Sequence, residues 1–225
     1  ATERRWANYR NDRVLDVRDL QVVLRALRHL TREGSWELDI DETIAVTANN
    51  GGDIELIEKR SQRNELRVVL LMDVGGSMQP HADKVERLFS AASKLNTFRS
   101  FDTWYFHNCI YAHMYRDMQE FDRVSTAEVL AQLTPKHRLI FVGDASMAPY
   151  ELFSSMGWHG QDSTSGIEWL RRFKRACPAS VWLNPDPPRW WDHPTVEGIA
   201  GVFDMFELTV DGVREAVQRL RYSPL

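Results

Sequence analysis

Four oxygen-bearing residues stand where chemistry is possible: Asp73, Ser77, Thr126 and Asp144. Each aspartate ends an apolar run, 66–72 and 138–142, apart from the Gly143 that precedes Asp144. Carboxylates and hydroxyls are hard oxygen donors, the kind that Mg2+ takes in octahedral geometry while keeping several waters. Asp73 is followed by Val74-Gly75-Gly76-Ser77-Met78, leading toward a helix. The glycines permit a tight turn and close approach of backbone to a ligand. Ser77 then brings a hydroxyl near Asp73, and Thr126 opens the helix before the second run. The same four residues could instead cap neighbouring helices. Composition and order leave both readings open.

These residues need a frame to converge. Run 66–72, almost wholly apolar after Arg67, has the pattern of a buried parallel strand. A helix should follow, with Val85, Leu88, Phe89, Ala92 and Leu95 on one face. Further strands are expected at 103–106, 138–142, 180–183 and 203–208, with an antiparallel edge strand at 110–115. Helices are expected at 127–133, 149–155, 165–176, 195–201 and 211–221. This alternation specifies an α/β fold: a doubly wound, mainly parallel, Rossmann-like sheet flanked by helices. In the order 3-2-1-4-5, strands 1 and 4 meet at the switch point, where ligands bind at the carboxyl ends of strands. If the edge hairpin counts as strand 3, the runs ending in Asp73 and Asp144 are those two strands.

Ahead of this lies an N-terminal helical extension. Leu20, Val23, Leu24, Leu27 and Leu30 give helical spacing across 14–33, with Gly34 as the stop. Residues 39–48 fit strand or helix, and 54–57 suggest a strand. The division expected is a leader, 1–62, and an α/β domain, 63–225.

Composition narrows the function. The chain has 225 residues, 43% hydrophobic and 27% charged, with net charge −4, which is globular and lacks the basic surplus of nucleic-acid or anionic-membrane binders. Arginines at 4, 5, 10 and 13 and at 171, 172 and 175 read as solvated helix faces. Two cysteines without a CxxC give no thiolate zinc site and suit reduced thiols in a cytoplasmic protein. No apolar run reaches membrane-spanning length and no secretory signal is present. The chain begins on Ala1 rather than methionine, as a fragment or a processed form would.

The segment Asp73-Val74-Gly75-Gly76-Ser77-Met78 resembles the metal-ion-dependent adhesion motif of von Willebrand factor A (VWA) domains, D-x-S-x-S. Thr126 resembles that family's second-loop threonine and Asp144 its third-loop aspartate. The likeness covers about 66–225. It implies a VWA fold and a Mg2+ or Mn2+ site on Asp73, Gly75, Ser77, Thr126 and Asp144, which a partner's carboxylate completes. Gly75 stands where the motif has its first serine, so one hydroxyl ligand is missing. A backbone carbonyl or water would have to replace it, or affinity is weak or lost. The leader sequence LDIDETIAVTANNGGDIELIEKR is similar to that of bacterial CoxE-like VWA proteins, which favours a helix at 39–48. Such proteins resemble helpers of MoxR-type AAA+ ATPases, acting on enzyme complexes or metal centres. The resemblance implies a non-enzymatic adaptor whose partner is that ATPase or its client.

Other features rank lower. The loop 184–191 carries Trp190 and Trp191, which suit a protein interface or, more commonly, a cover over the core. Loop 157–166 reads as a surface connection or a lid. The loop 107–109 falls at the site edge of the sheet; His107 and His113 could meet across a hairpin, and His81 reads as a surface residue. GxxxxGK[ST], GxGxxG and GxSxG are all absent. A Mg2+-dependent phosphatase or phosphotransferase is the alternative, but Gly75 stands where the haloacid dehalogenase pattern needs an acid. An extracellular adhesion domain fits the cysteine count poorly.

Overall fold

The computed structural model describes residues 15–28, 30–31, 35–155 and 164–221. Arg4, Arg5, Arg10, Arg13, Gly34 and most of loop 157–166 lie outside them.

Helix α1 (Val17–Leu24) starts on Asp16, whose carboxylate accepts the Arg18 N–H at 2.7 Å. Strand β1 (Leu30–Thr31) pairs antiparallel with β4 (Arg63–Asn64). Between them, β2 (Trp36–Leu38) pairs with β3 (Glu58–Arg60) around α2 (Ile40–Asn49). The sheet proper begins at β5 (Arg67–Asp73) and α3 (Ala82–Ser93). It continues through β6 (Ser100–Phe106), β7 (His113–Tyr115), β8 (Arg123–Ser125), α4 (Thr126–Gln132) and β9 (His137–Val142). The chain then runs through α5 (Pro149–Phe153), α6 (Gly166–Ala176), β10 (Ser180–Asn184), α7 (Pro194–Ala200), β11 (Asp204–Glu207) and α8 (Val210–Arg221).

The seven-stranded sheet has the order β11-β10-β9-β5-β6-β7-β8. Its first five strands are parallel; β7 and β8 form an antiparallel edge. Strand order reverses between β5 and β9, as a doubly wound, Rossmann-like arrangement requires. Val68 to Met72 are all buried, so both faces of β5 are covered by helices. Helix α1 packs on α3 and α8, while α4, α5, α6 and α7 pack among themselves. Phe141 centres an aromatic cluster: it stacks on Trp182 at 5.5 Å and meets Phe173 edge-on at 5.7 Å and Phe203 at 4.6 Å.

Three expectations are corrected. The first helix ends at Leu24, well short of 33. The chain tightens into i→i+3 bonds at Ala26 and Leu27, and the Asn64 side chain donates to the Leu27 carbonyl. Leu27 thus stays buried although it has left the helix, which is why its spacing misled. No strand forms at 54–57: the Ile57 N–H goes to the Thr43 hydroxyl, and ladder pairing starts at Glu58. Strand β8 was not expected. Asp117 builds it by accepting the N–H groups of Gln119, Phe121 and Asp122, which turns the chain back onto β7.

The leader divides in its packing. Leu15, Leu20, Val23, Leu24 and Leu27 belong to the main core. Helix α2 buries none of its residues, and Trp36, Leu38, Ile40, Ile44, Ile54 and Leu56 are exposed. Among the described residues no helix is long and apolar enough to cross a membrane.

Candidate functional site

The register between β5 and β9 puts Met72 opposite Val142, so Asp73 and Gly143 are the next residues and Asp144 follows immediately. Asp73 and Asp144 are each only 4% exposed. The strand order therefore brings both aspartates to the switch point. Gly143 is needed for space: a β-carbon there would stand 3.0 Å from the Asp73 β-carbon and 3.1 Å from the Trp182 ring. The Trp182 indole N–H donates to the Gly143 carbonyl at 2.7 Å and fixes this crossing.

Asp73 is asymmetric. Its Oδ1 accepts from the N–H groups of Gly75, at 2.8 Å, and Asn108, at 2.9 Å. Its Oδ2 is buried and makes no hydrogen bond. Burial pushes the carboxyl up to about 6; the two N–H donors oppose this and the charge of Asp144 adds to it. A buried carboxylate oxygen with no donor is costly unless something positive stands beside it.

Asp144 is held by its surroundings. Its Oδ1 accepts from the Ser146 N–H at 2.9 Å, and its carbonyl accepts from the Asn184 side chain at 2.8 Å. The next residue, Ala145, has φ +59, and Asn108 on the opposite side has φ +56. Left-handed backbone at a residue other than glycine costs about 1–2 kcal/mol, tolerated better by asparagine than by alanine. Thr195 secures the Ala145 strain by donating to its carbonyl at 2.7 Å.

The hydroxyls differ. Ser77 is exposed on the 3-10 turn Gly76–His81, and its hydroxyl makes no hydrogen bond with described residues. Thr126 is fully buried at the start of α4; its hydroxyl donates to the Tyr111 carbonyl at 2.5 Å and its N–H to that of Ala112. With its proton so engaged, the hydroxyl keeps lone pairs for another partner. Tyr111 links onward, its phenol donating to the Glu151 carbonyl at 2.9 Å.

Gly75 occupies ordinary extended backbone, φ −58 and ψ 157, so the turn itself does not demand glycine. Space does: a β-carbon at 75 would stand 2.0 Å from Asn108 Oδ1 and 3.1 Å from Asp73 Oδ1. The reason for this glycine is thus close approach by a side chain from another loop. Sequence reading noted the loop 107–109 but not this function of Asn108, nor the supports from Glu151, Asn184 and Thr195. No local motif signals them, since all act across the sheet edge.

His107 pairs with Glu120 at 2.9 Å and not with His113. His81 meets Asp186 at 3.1 Å and Lys84 donates to the Pro185 carbonyl, tying the loop after β5 to the loop after β10. Trp191 packs on the core, as a cover over it would, while Trp190 is 60% exposed. Cys109 and Cys177 are free and buried, and burial pushes the Cys109 thiol up to about 12.

Among the described residues no cluster of three or more His, Cys, Asp and Glu side chains could hold a metal ion. Any cation here relies on two carboxylates and neutral oxygens. That donor set, with one carboxylate oxygen buried and unpaired, fits a hard divalent ion such as Mg2+ or Mn2+ and suits neither zinc nor copper. No family model matches the chain, and no curated protein and no solved structure matches it either.

Proposed function

We propose that this chain is a VWA-type binding module, CoxE-like in its leader, that works without turnover as an adaptor in the cytoplasm. Asp73, Ser77, Thr126 and Asp144 would hold Mg2+ or Mn2+, and the ion would present an electrophilic face to a partner's carboxylate. The partner in this reading is a MoxR-type AAA+ ATPase or its client.

One observation carries the reading: two buried aspartates meet at the switch point of the sheet, and Asp73 Oδ2 has no hydrogen-bond partner there. The α2 segment exposes several large apolar residues, the residue types a protein partner would cover.

Calorimetric titration of metal-stripped protein with Mg2+ and Mn2+ tests the site, beside Asp73→Ala and Asp144→Ala. Binding by the wild type that both variants lose is expected. A wild type that takes up neither ion removes the metal site. Affinity capture from the native cell, followed by reconstitution with the purified partner, tests the adaptor half. Failure to find or reconstitute an AAA+ ATPase or client pair removes that half.

A further inference from the structure

The residue that the motif lacks at position 75 is replaced from across the sheet edge. Asn108 Oδ1 lies 2.0 Å from the point where a β-carbon on residue 75 would stand, so the amide takes the volume that a serine side chain would enter. Asp73 Oδ1 borders the same point at 3.1 Å.

The orientation of the amide is fixed by its neighbours. Asn108 Nδ2 donates to Glu151 Oε1 at 3.3 Å, and Glu151 is itself anchored by the Ala148 N–H at 2.9 Å. A carboxylate on one side of an amide draws its NH2, which turns the carbonyl oxygen the other way, toward Gly75. That oxygen accepts no hydrogen bond from any described residue. The amide oxygen therefore stands where the side chain of a serine at 75 would begin, beside the carboxylate whose Oδ2 is buried and unpaired. A serine hydroxyl from 75 would reach toward this place, and amide carbonyls, like hydroxyls, are ordinary ligands of hard cations.

The main chain of Asn108 is adapted to the same end. Its N–H holds Asp73 Oδ1, and its left-handed backbone, φ +56, is one that asparagine adopts more readily than most residues. One residue thus orients the carboxylate and presents a second oxygen beside it.

We infer that Asn108 Oδ1 is a divalent-cation ligand that stands in for the missing hydroxyl at position 75, with Glu151 as the residue that positions it. The inference rests on the metal-binding reading above.

The experiment is Mn2+ and Mg2+ calorimetry on the full chain, with thermal melts of the metal-free proteins as a check of folding. Asn108→Gly is the variant of choice, since glycine keeps the left-handed backbone without strain and removes only the amide. It should weaken Mn2+ binding by at least about ten-fold. The swap Gly75→Ser with Asn108→Gly returns an oxygen from the other side and should recover most of the lost affinity. Wild-type binding with Asn108→Gly unchanged overturns the inference and leaves the metal site standing. A folded swap that binds no better than Asn108→Gly also overturns it. A wild type that binds neither ion overturns the metal reading itself, and the ligand assignment with it.

Discussion

The main-chain N–H of Asn108 donates to Asp73 Oδ1 at 2.9 Å, so the loop after β6 holds the carboxylate that ends β5. With the Gly75 N–H on the same oxygen, one side of Asp73 is saturated while Oδ2 is buried without a donor. Such an arrangement orients a carboxylate without fully stabilising its charge.

A pH dependence follows. Burial raises the folded pKa of Asp73 from 3.8 to about 6. The native state then binds the proton more tightly than the unfolded chain does. Stability from this group is present below the unfolded pKa, falls as pH rises toward the folded pKa, and levels off above it. The total is about 3 kcal/mol for a shift near two units. Asp73→Asn keeps an oxygen for the two N–H donors and removes the charge. Metal-free Asp73→Asn should therefore exceed the wild type at pH 7.5 by about 1–3 kcal/mol, and the gap should close near pH 4. Urea melts in chelator at both pH values measure this. A variant less stable than wild type at pH 7.5 would show that Asp73 is stabilised by contacts its charge requires.

Gly75 and Asn108 should be energetically coupled. Because φ at 75 is ordinary, Gly75→Ala carries no backbone penalty and its cost is the collision with Asn108 Oδ1. Overpacking of this kind costs about 1–3 kcal/mol. Asn108→Gly removes the obstacle, so the double variant should lose less stability than the sum of the singles. A double-mutant cycle from denaturant melts gives the coupling directly; additivity would mean that the two residues do not compete for the space.

The frame was readable from sequence because burial on both faces leaves an unbroken apolar run, as in Val68–Met72 and Leu139–Val142. Those runs gave the positions of Asp73 and Asp144 with them. Periodicity failed at Leu27, where a buried leucine serves a turn, and at β8, where a three-residue strand depends on the Asp117 turn. The contribution of Asn108 was illegible for a different reason. Nothing in 107–109 or 73–78 states that these loops interpenetrate; only the pairing of Asp73 with Phe106 in the sheet brings them together.

Arg138 tests the C-terminal closure of the fold. It is 2% exposed on β9, and its guanidinium donates to the carbonyls of Leu220, Pro135 and His137, each at 2.9 Å. The Leu220 bond satisfies a carbonyl near the end of α8, where a cation also suits the helix dipole. Arg138→Met fills similar volume but takes the guanidinium from the Leu220 and Pro135 carbonyls and leaves the His137 carbonyl only the Cys177 thiol. A loss of about 2–4 kcal/mol is expected, with earlier hydrogen exchange in the last turn of α8. Arg138→Lys should recover little, because an ammonium cannot reproduce the fork. Exchange in α8 unchanged from wild type would assign the stabilisation to the strand end alone.

The α2 segment separates stability from partner binding. Ile40 and Ile44 lie one turn apart and both are 62% exposed, while α2 contributes nothing to the core. Surface substitutions away from special features usually change stability by no more than about 0.5 kcal/mol. Ile40→Glu with Ile44→Glu should therefore leave the melting temperature of the isolated chain unchanged. If this face engages the proposed partner, the pair should abolish co-purification of the reconstituted complex. A double variant that unfolds would show that the isoleucines support the segment's own structure. A double variant that folds and still binds the partner would exclude this face from recognition.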